Sequence, residues 1–351
     1  MIHRMSKKNK KRALVTGVTG QDGSYLVEFL VSKGYTVYGL VRRTSTDPLA
    51  RIENFYRKNR ENFILLNGDL RDSGAIERAL TEAKPDEIYN LAAQSDVGIS
   101  FSCPEETQEI NYHGLGRLVH AALKIVPKAR IYQASTSEMF GTSPSPQNEK
   151  TPFKPVSPYA ESKYWAHMDY VVGYREKYGL FICSGILFNH ESPRRGKHFV
   201  TRKITHSLAR IQLGRQKVLE LGNLGSKRDW GFAGDYVEAM WLMLQSKKPQ
   251  DYVIATGVQH TVREFVTAVA HELGIEITWK GKGVNEKGYD QNGKLIVTVN
   301  PAFFRPREVQ DLRGDAGNAM KNLGWKPHVS FEGLVKMMAR ADVELVKRQE
   351  A

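Results

Sequence analysis

A short apolar run, RALVTG at residues 12–17, passes through the glycine-rich turn GVTGQDG at 17–23 into the helical pattern SYLVEFLVSKG. The helix is expected to turn Leu26, Phe29 and Leu30 inward. A strand that turns on glycines straight into a helix narrows the architecture, because the helix has to cover the face of a sheet. The rhythm continues downstream. TVYGLV (36–41), FILLNGD (63–69), DEIYNLAA (86–93), RIYQAST (130–136) and LFICSGILFN (180–189) read as buried strands. Helical patterns such as 73–83 and 106–126 lie between them. Alternation of this kind predicts an α/β fold, a doubly wound parallel sheet of the Rossmann type with both faces covered.

After residue 190 the rhythm loosens. FVTRKITHSLARIQLG and DYVEAMWLMLQ read as helices, whereas KGVNEKGYDQNGK reads as polar and turn-rich. The organisation expected is a basic, flexible start at 1–11 and a dinucleotide-binding domain at 12–189. A smaller substrate-binding lobe at 190–345 follows, with a segment such as 229–258 returning to the first domain.

Composition excludes several classes. Hydrophobic residues make up 41% of the 351 residues, too many for a disordered chain. Two cysteines, Cys103 and Cys183, make no disulfide framework and point to a reducing cytoplasm. No apolar stretch follows the basic opening at signal-peptide length, and none later reaches the length of a membrane span. The net charge of +13 lies largely in SKKNKKR and on helix surfaces. It forms no basic stripe interleaved with aromatics, so nucleic acid is not the expected partner. The charge is compatible with a substrate carrying phosphates.

The turn glycines Gly17, Gly20 and Gly23 follow a G-x-x-G-x-x-G spacing rather than the tighter G-x-G-x-x-G. Glycine lets the backbone bend sharply and approach a pyrophosphate at the N-terminus of the next helix. At the end of the second strand an acidic residue would hold a ribose 2′-hydroxyl. Here Arg42, Arg43, Thr44 and Ser45 occupy that place, a set that would attract a 2′-phosphate, so NADP is expected over NAD.

SPYAESK at 157–163 places Tyr159 four positions before Lys163 at the start of a helix, with Pro158 in its first turn and Ser157 at the cap. By itself that spacing is better explained by chance. The nucleotide turn upstream and the cluster Ser135-Thr136-Ser137-Glu138 at the end of the fifth strand change the balance, since ligands sit at the carboxyl ends of strands in such sheets. A nearby lysine charge favours a tyrosinate, so Tyr159 reads as a base.

With these segments in place the chain resembles the extended short-chain dehydrogenase/reductase family and, within it, the GDP-mannose 4,6-dehydratases. VTGVTGQDGSYL, RRTS, NLAAQSDVGISF, QASTSEMFG, GILFNHESPRRG, LGNLGSKRDWG and FFRPREV carry the resemblance, which covers about residues 12–340. It implies that Gly17, Thr19, Gly20, Gln21, Asp22, Gly23, Arg42, Arg43, Thr44, Ser45, Asp69, Leu70, Leu91, Ala92, Ala93, Gln94 and Ser95 line an NADP site. His190 and Arg195 match further cofactor contacts, as do Tyr159 and Lys163, which with Thr136 and Glu138 match the catalytic set. Asn189, Lys203, Arg228, Arg305 and Glu308 match segments that grip the GDP portion of a substrate; read as bare residues, the three cations are ordinary surface charges. No metal is implied. Residues 282–298 resemble an insertion found in some members. The loop TSPSPQNEKTPFKPV is shorter than in some relatives, and TDPLARIENF departs from the usual wording near the adenosine end.

The implied reaction is loss of water from GDP-D-mannose by a cytoplasmic homo-oligomer, a tetramer. Dehydratases of dTDP-glucose carry an aspartate before the glutamate, where this chain has Ser137, so Glu138 has to act as both base and acid. Alternatives at this stage are a dehydratase of a GDP-heptose, a reductase of the 4-keto-6-deoxy product, and a non-catalytic binding protein.

Overall fold

The computed structural model describes residues 10–303, 309 and 311–349. Among the described residues six strands come first: β1 (Arg12–Thr16), β2 (Thr36–Val41), β3 (Phe63–Asn67), β4 (Glu87–Asn90), β5 (Arg130–Thr136) and β6 (Ile182–Leu187). Eight more follow: β7 (Asn189–Glu191), β8 (Leu219–Leu221), β9 (Lys227–Phe232), β10 (Tyr252–Ile254), β11 (Gln259–Thr261), β12 (Thr278–Lys280), β13 (Lys287–Tyr289) and β14 (Leu295–Val299). A seven-stranded sheet runs β10-β6-β5-β4-β1-β2-β3, and its β1–β2, β1–β4, β2–β3, β4–β5 and β6–β10 ladders are parallel. This is the doubly wound α/β architecture that the alternating pattern predicts. Two small sheets accompany it, β11-β9-β7 and β12-β13-β14-β8.

The chain divides into two compact units. The first comprises Met1–Ala134, Ser162–Ser184 and Met240–Gln250; the second comprises Ser135–Glu161, Gly185–Ala239 and Asp251–Ala351. Each has its own apolar core. In the first, Leu14 and Ile88 from the strands meet Leu80, Leu115, Leu118 and Val119 from the covering helices. Each leucine so buried contributes about 2 kcal/mol. In the second, Ile204, Leu208, Trp230, Phe265, Val269, Ile296 and Met338 pack together.

The first helix, Gln21–Ser32, buries Leu26, Val27 and Leu30. Phe29 stands half-buried beside this stripe, edge-on to Trp241 with ring centres 5.8 Å apart. The 157–178 pattern folds as Pro158–Trp165 and Gly173–Tyr178 joined through a π-helical stretch, Ala166–Val172. Gly116 of helix Gly114–Ile125 faces Tyr170 of that stretch: a Cβ there would lie 2.5 Å from the ring, so a larger residue would have to displace the tyrosine.

Two readings of the sequence are corrected. LFICSGILFN is not one strand: β6 ends at Leu187, Phe188 donates its amide to Ile254 O at 3.0 Å, and Asn189–Glu191 then pairs with β9 in another sheet. The polar stretch 282–294 is not merely turns. It carries β13 and, through a turn in which Gly293 has φ +76°, leads into β14. β13 pairs with β12 on one side and β14 on the other, in ladders of three residues each, so no long apolar run is needed. Arg263 braces it with two bonds to Glu286, at 2.5 and 2.7 Å. Among the described residues no helix is long and apolar enough to cross a membrane.

Candidate active site

The glycine turn is built by contacts that side chains could not tolerate. Gly17 has φ +67°, and a Cβ on it would lie 2.7 Å from Ala92 N. A Cβ on Gly23 would lie 2.3 Å from Gly17 O. The turn is closed by Gly20 N donating to Gly17 O at 2.9 Å. Helix Gln21–Ser32 has no side-chain cap at its N-terminus. The positive end of its dipole therefore favours an anion, and the bare backbone leaves room for a pyrophosphate. The residues present fit a dinucleotide.

The other expected cofactor residues of the first unit follow successive strand ends. Thr19 lies in the turn after β1 and Gln21 and Asp22 open the helix that follows it, while Arg42, Arg43, Thr44 and Ser45 follow β2, all four exposed. Asp69 and Leu70 follow β3; Arg71 grips the Asp69 carboxylate at 2.8 and 3.1 Å and holds its pKa below the ordinary carboxylate value. Leu91, Ala92, Ala93, Gln94 and Ser95 follow β4.

A chain of hydrogen bonds runs beneath these strand ends. Thr16 Oγ1 donates to Asn90 Oδ1 at 2.5 Å and accepts from the amides of Leu91 and Ala92 at 3.2 Å each. Asn90 Nδ2 donates to Gln133 Oε1 at 2.7 Å, and Gln133 Nε2 to Ala134 O at 2.9 Å. The same carbonyl accepts from Lys163 Nζ at 2.8 Å. Lys163 is 3% exposed, and burial pushes its pKa down to about 8. It therefore stays mainly charged at neutral pH while desolvated.

Tyr159 and Lys163 share one helix, Pro158–Trp165, as their spacing predicts. Ser157 caps it, its hydroxyl accepting from Ala160 N at 3.2 Å. Sequence reasoning missed Asn111, which is 2% exposed. Its amide bonds Gln94 N at 2.9 Å, Gln94 O at 3.0 Å and Ser162 Oγ at 3.0 Å, tying the 91–95 loop to the helix that carries Lys163. The only signal was an asparagine inside a helical pattern, and its segment, Glu109–His113, is a π-helical turn of the kind found at functional sites.

In the second unit β5 runs into a single 3₁₀ turn, Ser137–Phe140. Thr136 Oγ1 accepts from Glu138 N at 3.2 Å and starts the turn; Gly141, with φ +53°, ends it against Lys154 O. Thr136, Ser137 and Glu138 are all buried, and among the described residues the Glu138 carboxylate has no ion pair. His190 lies 2.8 Å from Phe188 O through Nδ1, which must therefore carry the proton, and its ring stacks on Tyr236 at 4.6 Å. Arg195 lies over the Phe199 ring at 3.6 Å. Asn189 has a buried Oδ1 without a hydrogen-bond partner, an acceptor that a ligand donor could satisfy. Lys203 sits over the Phe303 ring at 3.9 Å with its pKa lowered by burial. Arg228 is 6% exposed, so it is not a surface charge. Arg305 and Glu308 lie outside the described residues.

Comparison with known proteins agrees with this geometry. Residues 14–338 match the family model described as GDP-mannose 4,6 dehydratase. The chain is 51% identical to GDP-mannose 4,6 dehydratase 1 of Arabidopsis thaliana, over 98% of this chain and 92% of that one. It is 51% identical to the human GDP-mannose 4,6 dehydratase (97% and 93%) and 50% identical to the Vibrio cholerae enzyme (96% and 94%). Among solved structures, dTDP-glucose 4,6-dehydratase from Streptomyces venezuelae, with NAD and TYD bound, has a TM-score of 0.80 at 24% identity, covering 95% of this chain and 97% of that one. UDP-glucose 4-epimerase of Thermus thermophilus, in complex with NAD, has a TM-score of 0.77 at 28% identity (94% and 98%). The chain belongs to the GDP-mannose 4,6-dehydratase family.

Proposed function

We propose that this chain is an NADP-dependent hydro-lyase that converts GDP-D-mannose to GDP-4-dehydro-6-deoxy-D-mannose. The observation that carries the reading is the buried carboxylate of Glu138, held on a capped 3₁₀ turn at the end of β5, in a chain of this family. An epimerase of the same fold needs no acid there, whereas an elimination does. The heptose and reductase alternatives have no support from the relatives' names.

The cofactor set is the one named from the sequence, with Arg42 and Arg43 receiving the 2′-phosphate. NADP held by these residues would supply the hydride acceptor and donor for the C4 and C6 positions of the sugar. The residues of the chain manage the protons. Tyr159 removes the 4-hydroxyl proton, and the Lys163 charge favours the tyrosinate that does so. The 4-ketone acidifies the C5 hydrogen, and Glu138 takes that proton. Because Ser137 is a poor acid, Glu138 passes it to the departing 6-hydroxyl, with Thr136 fixing the turn that aims it. Asn189, Lys203, Arg228, Arg305 and Glu308 are assigned to the GDP portion.

Helix residues Trp165 and Tyr178 are 49% and 46% exposed, which supports burial in a homo-oligomer, a tetramer by resemblance. A cytoplasmic location is supported by a sequence with only two cysteines, Cys103 and Cys183, too few for a disulfide framework. Incubation with a panel of nucleotide sugars and mass detection of water loss tests the reading. Water lost from GDP-mannose alone is the expected result; turnover of only a GDP-heptose, or stoichiometric use of NADPH, overturns it.

A further inference from the structure

We propose that Arg202 and Asp342 form a buried positioning pair that fixes the Ser192–Gly196 turn and, through it, the guanidinium of Arg195. The proposal rests on the reading of Arg195 as a cofactor contact. Arg202 stands in helix Val200–Gln212 and is 6% exposed; Asp342 stands in the last helix, Phe331–Arg348, and is 0% exposed. Arg202 Nε donates to both carboxylate oxygens at 2.8 Å, and its Nη2 lies 2.7 Å from Oδ1. The Thr205 hydroxyl donates to Oδ2 at 2.6 Å. The other guanidinium nitrogen points away from this helix pair. Nη1 donates to the carbonyl oxygens of Pro193 and Arg195, the latter at 3.1 Å.

One planar cation thus joins the C-terminal helix to two main-chain carbonyls of the turn. The turn is otherwise closed by Arg195 N donating to Ser192 O at 3.0 Å. Beyond it the Arg195 side chain is held on two sides. Its Nε lies 3.2 Å from Glu191 Oε2, as an ion pair rather than a directed hydrogen bond, and its guanidinium covers the Phe199 ring. Glu191 is itself fixed by the Thr201 hydroxyl at 2.6 Å.

Stability alone does not require such a pair. A buried ion pair commonly does no better than well-packed apolar residues of the same volume, because desolvation offsets the attraction. Apolar residues could join the two helices equally well. They could not bond the carbonyls of Pro193 and Arg195, and that bond sets where the Arg195 backbone sits. The rigid fork of an arginine serves both directions at once, which a lysine could not.

The test is NADPH fluorescence titration with thermal melting of the full-length protein. The variants are Arg195→Ala, Arg202→Met/Asp342→Leu, and the combination of all three. The double variant should melt at or above the wild-type temperature yet bind NADPH about tenfold more weakly, the loss expected when a charge-assisted bond is misaligned. Arg195→Ala should weaken binding similarly, and the triple variant should be no weaker than Arg195→Ala alone. If Arg195→Ala weakens binding while the double variant does not, or if the effects multiply, the positioning role is wrong. If Arg195→Ala leaves affinity unchanged, the reading of Arg195 fails first and the proposal with it. Should the double variant not fold, Asp342→Asn decides by the same outcomes.

Discussion

Lys163 Nζ donates to Ala134 O at 2.8 Å inside the protein, and this bond is the end of a polar chain that begins at Thr16. A lysine so placed is a native-state burden. Burial lowers its pKa from 10.5 to about 8, which corresponds to about 3 kcal/mol at neutral pH.

The first prediction follows from the sign of that shift. The folded protein releases this proton before the unfolded chain does, so the cost is fully present below about pH 8 and is relieved as pH rises towards 10.5. Lys163→Met removes the charge but leaves Ala134 O one partner short, a loss of about 1 kcal/mol. The variant should therefore be inactive yet melt above wild type at pH 7, by roughly 2 kcal/mol in stability, and the gain should fade by pH 10. A lower melting temperature at pH 7 would show that the hydrogen bond outweighs desolvation.

A second concerns cofactor choice. Arg42 is exposed at the end of β2 with Arg43, so its charge-assisted bonds to a 2′-phosphate should favour NADP over NAD by about 10- to 100-fold. Arg42→Asp should erase or invert that preference in calorimetric titration. Equal wild-type affinities for the two dinucleotides would refute the assignment.

Glu138→Gln separates the half-reactions. Glutamine keeps the shape and the Thr136-capped turn but cannot take the C5 proton, so reduced nicotinamide absorbance should appear on mixing with GDP-mannose and persist. Turnover should fall by about 10²–10⁴-fold. Tyr159→Phe should give neither absorbance nor product. Near-normal product from the glutamine variant would mean that another group is the base.

Gly17→Ala tests the cradle. The methyl would meet Ala92 N at 2.7 Å on a backbone with φ +67°, so the turn must open. The expected loss is more than about 1 kcal/mol of stability together with the rise in melting temperature that NADP gives the wild type. Retention of that ligand-induced rise would show that the turn does not hold the pyrophosphate.

The parts most legible in the sequence are those with a dense local signal. The first five strands are short runs of β-forming residues around an apolar centre, and Gly17, Tyr159 and Lys163 stand out by spacing. Strand β7 was hidden because nothing in ILFNHE marks the point at which Phe188 leaves one sheet for another. Strands β12 and β13 were hidden because strands of only three residues carry no readable alternation. Asn111, Gln133 and Arg202 were illegible for a different reason: their partners lie far away in sequence, and a polar residue inside a helix or strand reads as unremarkable until the fold supplies them.

The first unit is written in three separate pieces, the last of them Met240–Gln250. That piece supplies Gln245, which donates to the buried carboxylate of Glu87 at 3.1 Å, and Trp241, which donates to Tyr35 OH at 3.1 Å. During synthesis on the ribosome, a chain that has already made every strand from β1 to β6 still lacks these two partners. The nascent first unit therefore has to wait for residues 241 and 245, with Glu87 short of one hydrogen bond until then.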